Sequence, residues 1–172
     1  MKKVSLTVGP QCAGKSTFCQ RFVGSNPGVV LVSRDQILTE LYGSPYFDPY
    51  LGDHLSGMAK MWEIVAGHLS LEGMTLILDC WNESARGRQE MVKRLCSLGA
   101  DSVEAWYFTT PKEICVERFL ARRPNPGKGN LEMQRVWEET YREQYLMAYR
   151  NFHSEPPALA DGFDCVLEMS SI

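Results

Sequence analysis

Between Val4 and Thr17 the chain reads VSLTVGPQCAGKST, an apolar run followed by a glycine-bounded loop, with Lys15, Ser16 and Thr17 opening a helical pattern. Gly9, four residues, then Gly14, Lys15 and Ser16 satisfy the spacing of a phosphate-binding P-loop. Glycines let backbone N–H groups turn inward around phosphate oxygens, where a side chain at Gly9 or Gly14 would block the approach. The helix that follows adds unpaired N-terminal N–H groups and its dipole. Lys15 is placed to neutralise the β and γ phosphates, and Ser16 to offer a hydroxyl to Mg²⁺. The loop's nucleotide-binding set is therefore Gly9, Gln11, Cys12, Ala13, Gly14, Lys15, Ser16 and Thr17, joined from further along the chain by Arg118 and Arg122, and the expected ligands are ATP and Mg²⁺.

The rest of the chain supplies what such a loop requires. After the first strand and its helix, Val29 to Ser33 is a short β-branched run, as expected of a strand covered on both faces. Met74 to Leu78 and Glu104 to Thr109 repeat the pattern, and Phe163 to Met169, which carries Asp164 and Glu168, suits a sheet edge. Helical patterns alternate with these runs, including a Met58, Met61, Trp62, Val65, Leu69 stripe from about Asp53 to Glu72. A long helix from about Leu131 to Phe152 is expected to turn Trp137, Tyr141, Tyr145, Ala148 and Phe152 inward. The alternation predicts an α/β P-loop NTPase fold: a doubly wound, five-stranded parallel sheet with the first strand central and helices on both faces.

At 172 residues the chain suits a single domain. A net charge of -3 argues against a protein that coats nucleic acid indiscriminately, because such binding rests on Lys and Arg displacing counterions. The six cysteines form no CxxC pair and no metal-ligand spacing, and read as reduced thiols of a cytoplasmic protein. Cys12 stands out as a loop thiol exposed enough to react. No apolar stretch approaches the ~20 residues that span a bilayer.

Three features narrow the reaction. Asp35 follows the second strand, at the carboxyl edge of the sheet where ligands bind. There it can accept a proton from an attacking hydroxyl, or cap a helix beginning at Gln36. Arg118, Arg122 and Arg123 precede the break Pro124-Asn125-Pro126-Gly127-Lys128-Gly129-Asn130, the construction of an arginine-bearing lid at about 118–130; solvated arginines at a helix C-terminus are the plainer reading. Asp79 ends a buried strand, where it can order magnesium-bound water, position Arg34, anchor an acceptor, or serve structural pairing alone. The loop Gly43 to Tyr50, with three aromatics, is either a packed surface loop or a wall for a flat substrate group.

Together, GPQCAGKSTF, VSRDQI, LILDCWNESARGR and the tail YRNFHSEPPALADGFDCVLEM resemble the kinase domain of polynucleotide 5′-hydroxyl kinases, including the kinase half of kinase-phosphatase repair enzymes. The resemblance implies Asp35 as general base, Lys15 and Ser16 as phosphate and magnesium contacts, and Arg122 as the lid arginine. It implies that Arg34, Asp79 and Asn82 line the acceptor side, while the place of Asp79 at the end of a buried strand, like that of a Walker B carboxylate, makes it with Ser16 the metal candidate. Trp81 replaces the family's usual threonine, and Leu38 stands where some members have an arginine. Trp81 offers a stacking platform, and Arg34 with the cluster Arg86, Arg88, Lys93 and Arg94 offers a basic channel for a strand. The expected activity is transfer of the ATP γ-phosphoryl group to a hydroxyl, foremost a DNA or RNA 5′ end. The alternatives are a small-molecule acceptor, or a nucleotide-binding regulator without any acceptor. No obligate protein partner is evident.

Overall fold

The computed structural model of the chain describes residues 1–43, 53–122 and 131–169. Five parallel strands form one sheet in the order β2-β3-β1-β4-β5: β1 (Lys3–Val8), β2 (Val29–Ser33), β3 (Thr75–Asp79), β4 (Ser102–Phe108) and β5 (Cys165–Met169). The first strand is central and the last lies at an edge, as the sequence pattern requires. Connecting them are α1 (Lys15–Ser25), α2 (Arg34–Tyr42), α3 (Asp53–Leu69), α4 (Ala85–Ser97), α5 (Lys112–Arg122) and α6 (Leu131–Ser154), with a 3₁₀ turn at Leu159–Asp161.

Alternation along the strands divides the interior into two apolar layers. Val4, Leu6 and Val8 of β1 join Leu76, Leu78, Val103 and Ala105 under Met61, Trp62, Val65 and Leu69 of α3 and Val92 and Leu95 of α4. On the other face Ile77, Trp106 and Phe108 meet Cys19 of α1, Cys115 and Phe119 of α5, and Tyr145 of α6. Phe18 lies edge-on to both Trp106 and Phe108, with ring centroids 5.6 and 5.5 Å apart. Truncating a fully buried leucine such as Leu78 would cost roughly 2–5 kcal/mol.

The second face also buries polar groups that the sequence reading passed over. Glu104 sits inside the sheet, accepting from Ser5 Oγ at 2.7 Å and Trp106 Nε1 at 2.8 Å, and pairs with Lys3 at 2.8 Å. Although burial favours the neutral acid, these donors outweigh it and hold the carboxyl below the usual value.

The helix α2 starts two residues earlier than the Gln36 expected from sequence, because Ser33 Oγ accepts from Gln36 N–H and caps it. Within it, Leu38 is fully buried against α3, where Gly57 leaves the room: an ideal Cβ at Gly57 would stand 2.5 Å from Leu38 Cδ2. The aromatic loop at 44–50, the lid break at 123–130 and the side chains of Trp137, Tyr141 and Ala148 lie outside the described residues. Tyr145 and Phe152 of α6 are buried as expected.

Candidate active site

The loop between β1 and α1 brings every nucleotide-binding candidate to the carboxyl edge of the sheet. Gly9 and Gly14 adopt φ of 144° and 94°, and Cys12 is left-handed at 63°. A Cβ at Gly9 would meet the Phe108 carbonyl oxygen at 2.8 Å, so strand β4 excludes a side chain there independently of any ligand. At Gly14 the nearest atom would be Arg118 Nη1 at 3.7 Å, which leaves the backbone conformation as the constraint. The first turn of α1 has no side-chain cap and no acidic residue. Its N–H groups and dipole are therefore presented to an anion, as a nucleotide phosphate site requires.

Lys15 Nζ donates to the Gly9 and Pro10 carbonyls at 2.8 and 2.9 Å, so the loop folds around its own cation. Burial holds its pKa below the ordinary lysine value, while the charges of Asp79 and Asp35 oppose that shift. All of these charges converge on one place. The Cys80 thiol is pushed up to about 12, chiefly by burial, with the charges of Asp79 and Asp35 adding to the rise and those of Arg34 and Lys15 opposing it.

Ser16 Oγ donates to Asp79 Oδ2 at 2.8 Å, and Thr7 Oγ1 donates to Asp79 Oδ1 at 2.7 Å. Asp79 is buried and makes no ion pair within 4.0 Å among the described residues. The pair fits Mg²⁺, which takes few protein ligands and completes its shell with phosphate oxygens and water. No group of three or more His, Cys, Asp or Glu gathers as a metal site among the described residues.

Asp35 occupies the first turn of α2, with 62% of its side chain exposed and Oδ1 2.7 Å from Arg34 Nη2. The helix-capping alternative fails for Asp35, because Ser33 holds that position. On α5, Arg118 Nη1 approaches the Cys12 carbonyl at 3.5 Å and Arg122 Nη1 the Cys12 sulfur at 4.0 Å. Both arginines therefore stand at the phosphate loop. Cys12 itself is buried, and burial raises its thiol above the ordinary value although Arg122, Lys15 and Arg118 pull it down. The expectation of a reactive loop thiol is thus corrected.

The acceptor candidates separate. Trp81 remains 40% exposed, its ring edge-on to Phe152 with centroids 5.5 Å apart. Asn82 is buried, its Nδ2 donating to the Thr7 carbonyl at 2.7 Å. Arg86 is exposed and paired with Glu90 at 3.0 Å. The basic channel expected from α4 is not assembled as drawn. Arg88 is fully buried, bonded to Asp161 at 2.6 Å, and Arg94 lies over the Trp62 ring at 4.2 Å.

Three supports escaped the sequence reading. Thr7 holds Asp79, Thr110 Oγ1 donates to the Ala13 carbonyl at 2.7 Å, and Tyr145 Oη donates to the Gln11 carbonyl at 3.2 Å. Only Thr7 left a signal: hydroxyls alternate with apolar residues in VSLTV, and a buried hydroxyl in a central strand needs an acceptor.

With this geometry in view, residues 4–145 match a family described as an AAA domain. The chain belongs to that family. Among solved structures, a chain of a Pnkp1/Rnl/Hen1 RNA repair complex superposes with a TM-score of 0.62 and 26% identity, over 83% of this chain and 45% of that one. This AAA domain thus spans under half the length of that relative. A fungal RNA kinase gives a TM-score of 0.58 at 14% identity, covering 99% of this chain and 75% of the other. The PezAT toxin-antitoxin system of Streptococcus pneumoniae gives 0.60 at 17%, covering 99% and 68%. At such identities the last two show a shared fold. No curated protein sequence matches the chain. The AAA domain carries a P-loop, which implies nucleotide binding, and no helix among its described residues is long and apolar enough to cross a membrane.

Proposed function

We propose that the chain is an ATP- and Mg²⁺-dependent kinase that transfers the γ-phosphoryl group to a hydroxyl, foremost the 5′-hydroxyl of a DNA or RNA end. The observation that carries this reading is Asp35: a carboxylate released from capping by Ser33, open to solvent, and close enough to Lys15 to act on its charge.

In this reading Lys15 and the open end of α1 bind the phosphates, and Arg118 and Arg122 neutralise charge that spreads over the transferring group. Ser16 and Asp79 hold Mg²⁺, which supplies Lewis-acid polarisation of the phosphoryl oxygens. Asp35 accepts the proton of the attacking hydroxyl, and Arg34, with Nη2 2.7 Å from Oδ1, orients its carboxylate. Trp81 offers a face to the acceptor's terminal base, Asn82 steadies the segment beneath it, and Arg86 stands at the outer rim. Similarity to a chain of an RNA repair complex supports the polynucleotide acceptor.

A small hydroxyl acceptor is the second reading, favoured by the removal of Arg88 from the surface and the pairing of Arg86 with Glu90. Incubation with γ-labelled ATP and a panel of 5′-hydroxyl oligonucleotides, nucleosides and sugars tests both. Label on oligonucleotides supports the first, and label on small molecules alone supports the second. Phosphate release with no labelled acceptor would overturn the kinase reading in favour of a regulator.

A further inference from the structure

Asp79 has two donors of different standing. Ser16 lies on α1, is exposed, and belongs to the phosphate-binding loop sequence. Thr7 lies on the central strand, is fully buried, and belongs to no part of the P-loop pattern. Thr7 and Asp79 each sit one residue beyond the paired Leu6 and Leu78, so their side chains meet on the face of the sheet that α1 covers.

A carboxylate turns broadly about its terminal torsion, whereas a threonine in a strand is restricted at χ1. A hydroxyl fixed in the sheet therefore sets the carboxylate plane at Oδ1 and leaves Oδ2 aimed at Ser16. We infer that Thr7 is a positioning residue of the phosphoryl-transfer centre, fixing the rotation of Asp79 so that one oxygen stays presented to Ser16 and its metal.

The brace is itself tied down. Asn82 Nδ2 donates to the Thr7 carbonyl at 2.7 Å, and Arg88 Nη1 donates to the Asn82 carbonyl at 3.3 Å. Arg88 also donates to Asp161 at 2.6 Å and to the Glu155 carbonyl at 2.8 Å. A run of buried polar groups, Asp161, Arg88, Asn82 and Thr7, thus joins the 3₁₀ turn to the carboxylate facing the phosphate loop, and the Glu155 carbonyl just beyond α6 is tied to it.

The inference rests on the reading of Ser16 and Asp79 as the magnesium pair, and its test keeps the two apart. Mn²⁺ binding to the full chain saturated with ADP is followed by electron paramagnetic resonance in wild type, Thr7→Val and Thr7→Ser. Loss of a group that orients a metal ligand typically weakens metal binding by about 10–100-fold. Thr7→Val is expected to weaken Mn²⁺ by about tenfold or more on that basis, while Thr7→Ser, which keeps the hydroxyl, stays near wild type. Affinity for ADP in excess chelator is expected to be the same in all three. Unchanged Mn²⁺ affinity in Thr7→Val, or equal weakening in Thr7→Ser, overturns the role of the hydroxyl. If the wild-type ADP complex binds Mn²⁺ no more tightly than free ADP does, the metal reading of Ser16 and Asp79 is what fails. Should Thr7→Val not fold, Thr7→Ala compared with Thr7→Ser asks the same question.

Discussion

Arg88 and Asp161 form an ion pair at 2.6 Å, with side chains 0% and 5% exposed, between α4 and the turn before β5. Arg88 further donates to the carbonyls of Glu83 and Glu155, both at 2.8 Å, so one guanidinium holds three segments together. Removing one partner of such a pair strands the other charge without water. Arg88→Met is expected to destabilise the fold by ~3–5 kcal/mol, measured by denaturant unfolding. Arg86→Met, on the same helix but exposed, is expected to change stability by less than ~0.5 kcal/mol.

Lys15 is expected to matter to activity far more than to the fold. Lys15→Met is expected to cut phosphoryl transfer by at least ~10²-fold, because a charge aimed at the transition state is lost. The same change removes a partly desolvated ammonium but also the two hydrogen bonds Nζ makes to the Gly9 and Pro10 carbonyls, so the melting temperature of the nucleotide-free protein is expected to change little. The pH dependence follows in sign. With the folded pKa below the unfolded one, the unfolded chain holds more protons between the two values, and this group's contribution to stability rises with pH there. Melting scans of wild type should show that rise approaching the ordinary lysine value, and Lys15→Met should lack it.

Asp35 is expected to matter to turnover and little to the fold. Asp35→Asn should lose ~10²-fold or more in turnover while ATP affinity and melting stay close to wild type. Ser33→Ala is the matched control. It removes the cap, is expected to cost ~0.5–2 kcal/mol, and should leave a folded enzyme with Asp35 chemistry intact. Steady-state rates and melting curves on both variants decide the assignment.

Trp81 is expected to act at the acceptor. Because it keeps 40% of its surface in water, Trp81→Ala should cost less stability than truncation of a core tryptophan such as Trp106. Base stacking on an aromatic is typically worth ~1–3 kcal/mol, so the Michaelis constant for a 5′-hydroxyl oligonucleotide should rise about 5- to 150-fold with that for ATP unchanged. Equal shifts in both constants would point to a packing defect instead.

The fold was legible because it is written in local patterns. Apolar runs of strand length, the Gly9 to Ser16 spacing and helical stripes such as Met61, Val65 and Leu69 each act within a few residues. The nucleotide half of the site shares that property, since Gly14, Lys15 and Ser16 are consecutive. What stayed hidden depends on partners far apart in the chain. Nothing beside Arg88 announces Asp161, 73 residues away, and a run of arginines on a helix reads equally well as a channel. The start of α2 differs from the expected Gln36 for a related reason. Ser33 and Asp35 are both good caps, and only the path of the chain out of β2 selects the former.

Gly57 gives the molecule an unusual point of genetic fragility. Alanine is ordinarily the gentlest replacement for a glycine in a helix and a gain in propensity. Here its methyl would press on the fully buried Leu38, three residues after Asp35 on the same short helix. Under the role proposed for Asp35, an apparently inert glycine and that role are therefore inherited together: drift at position 57 would be filtered through the aim of a carboxylate it never touches.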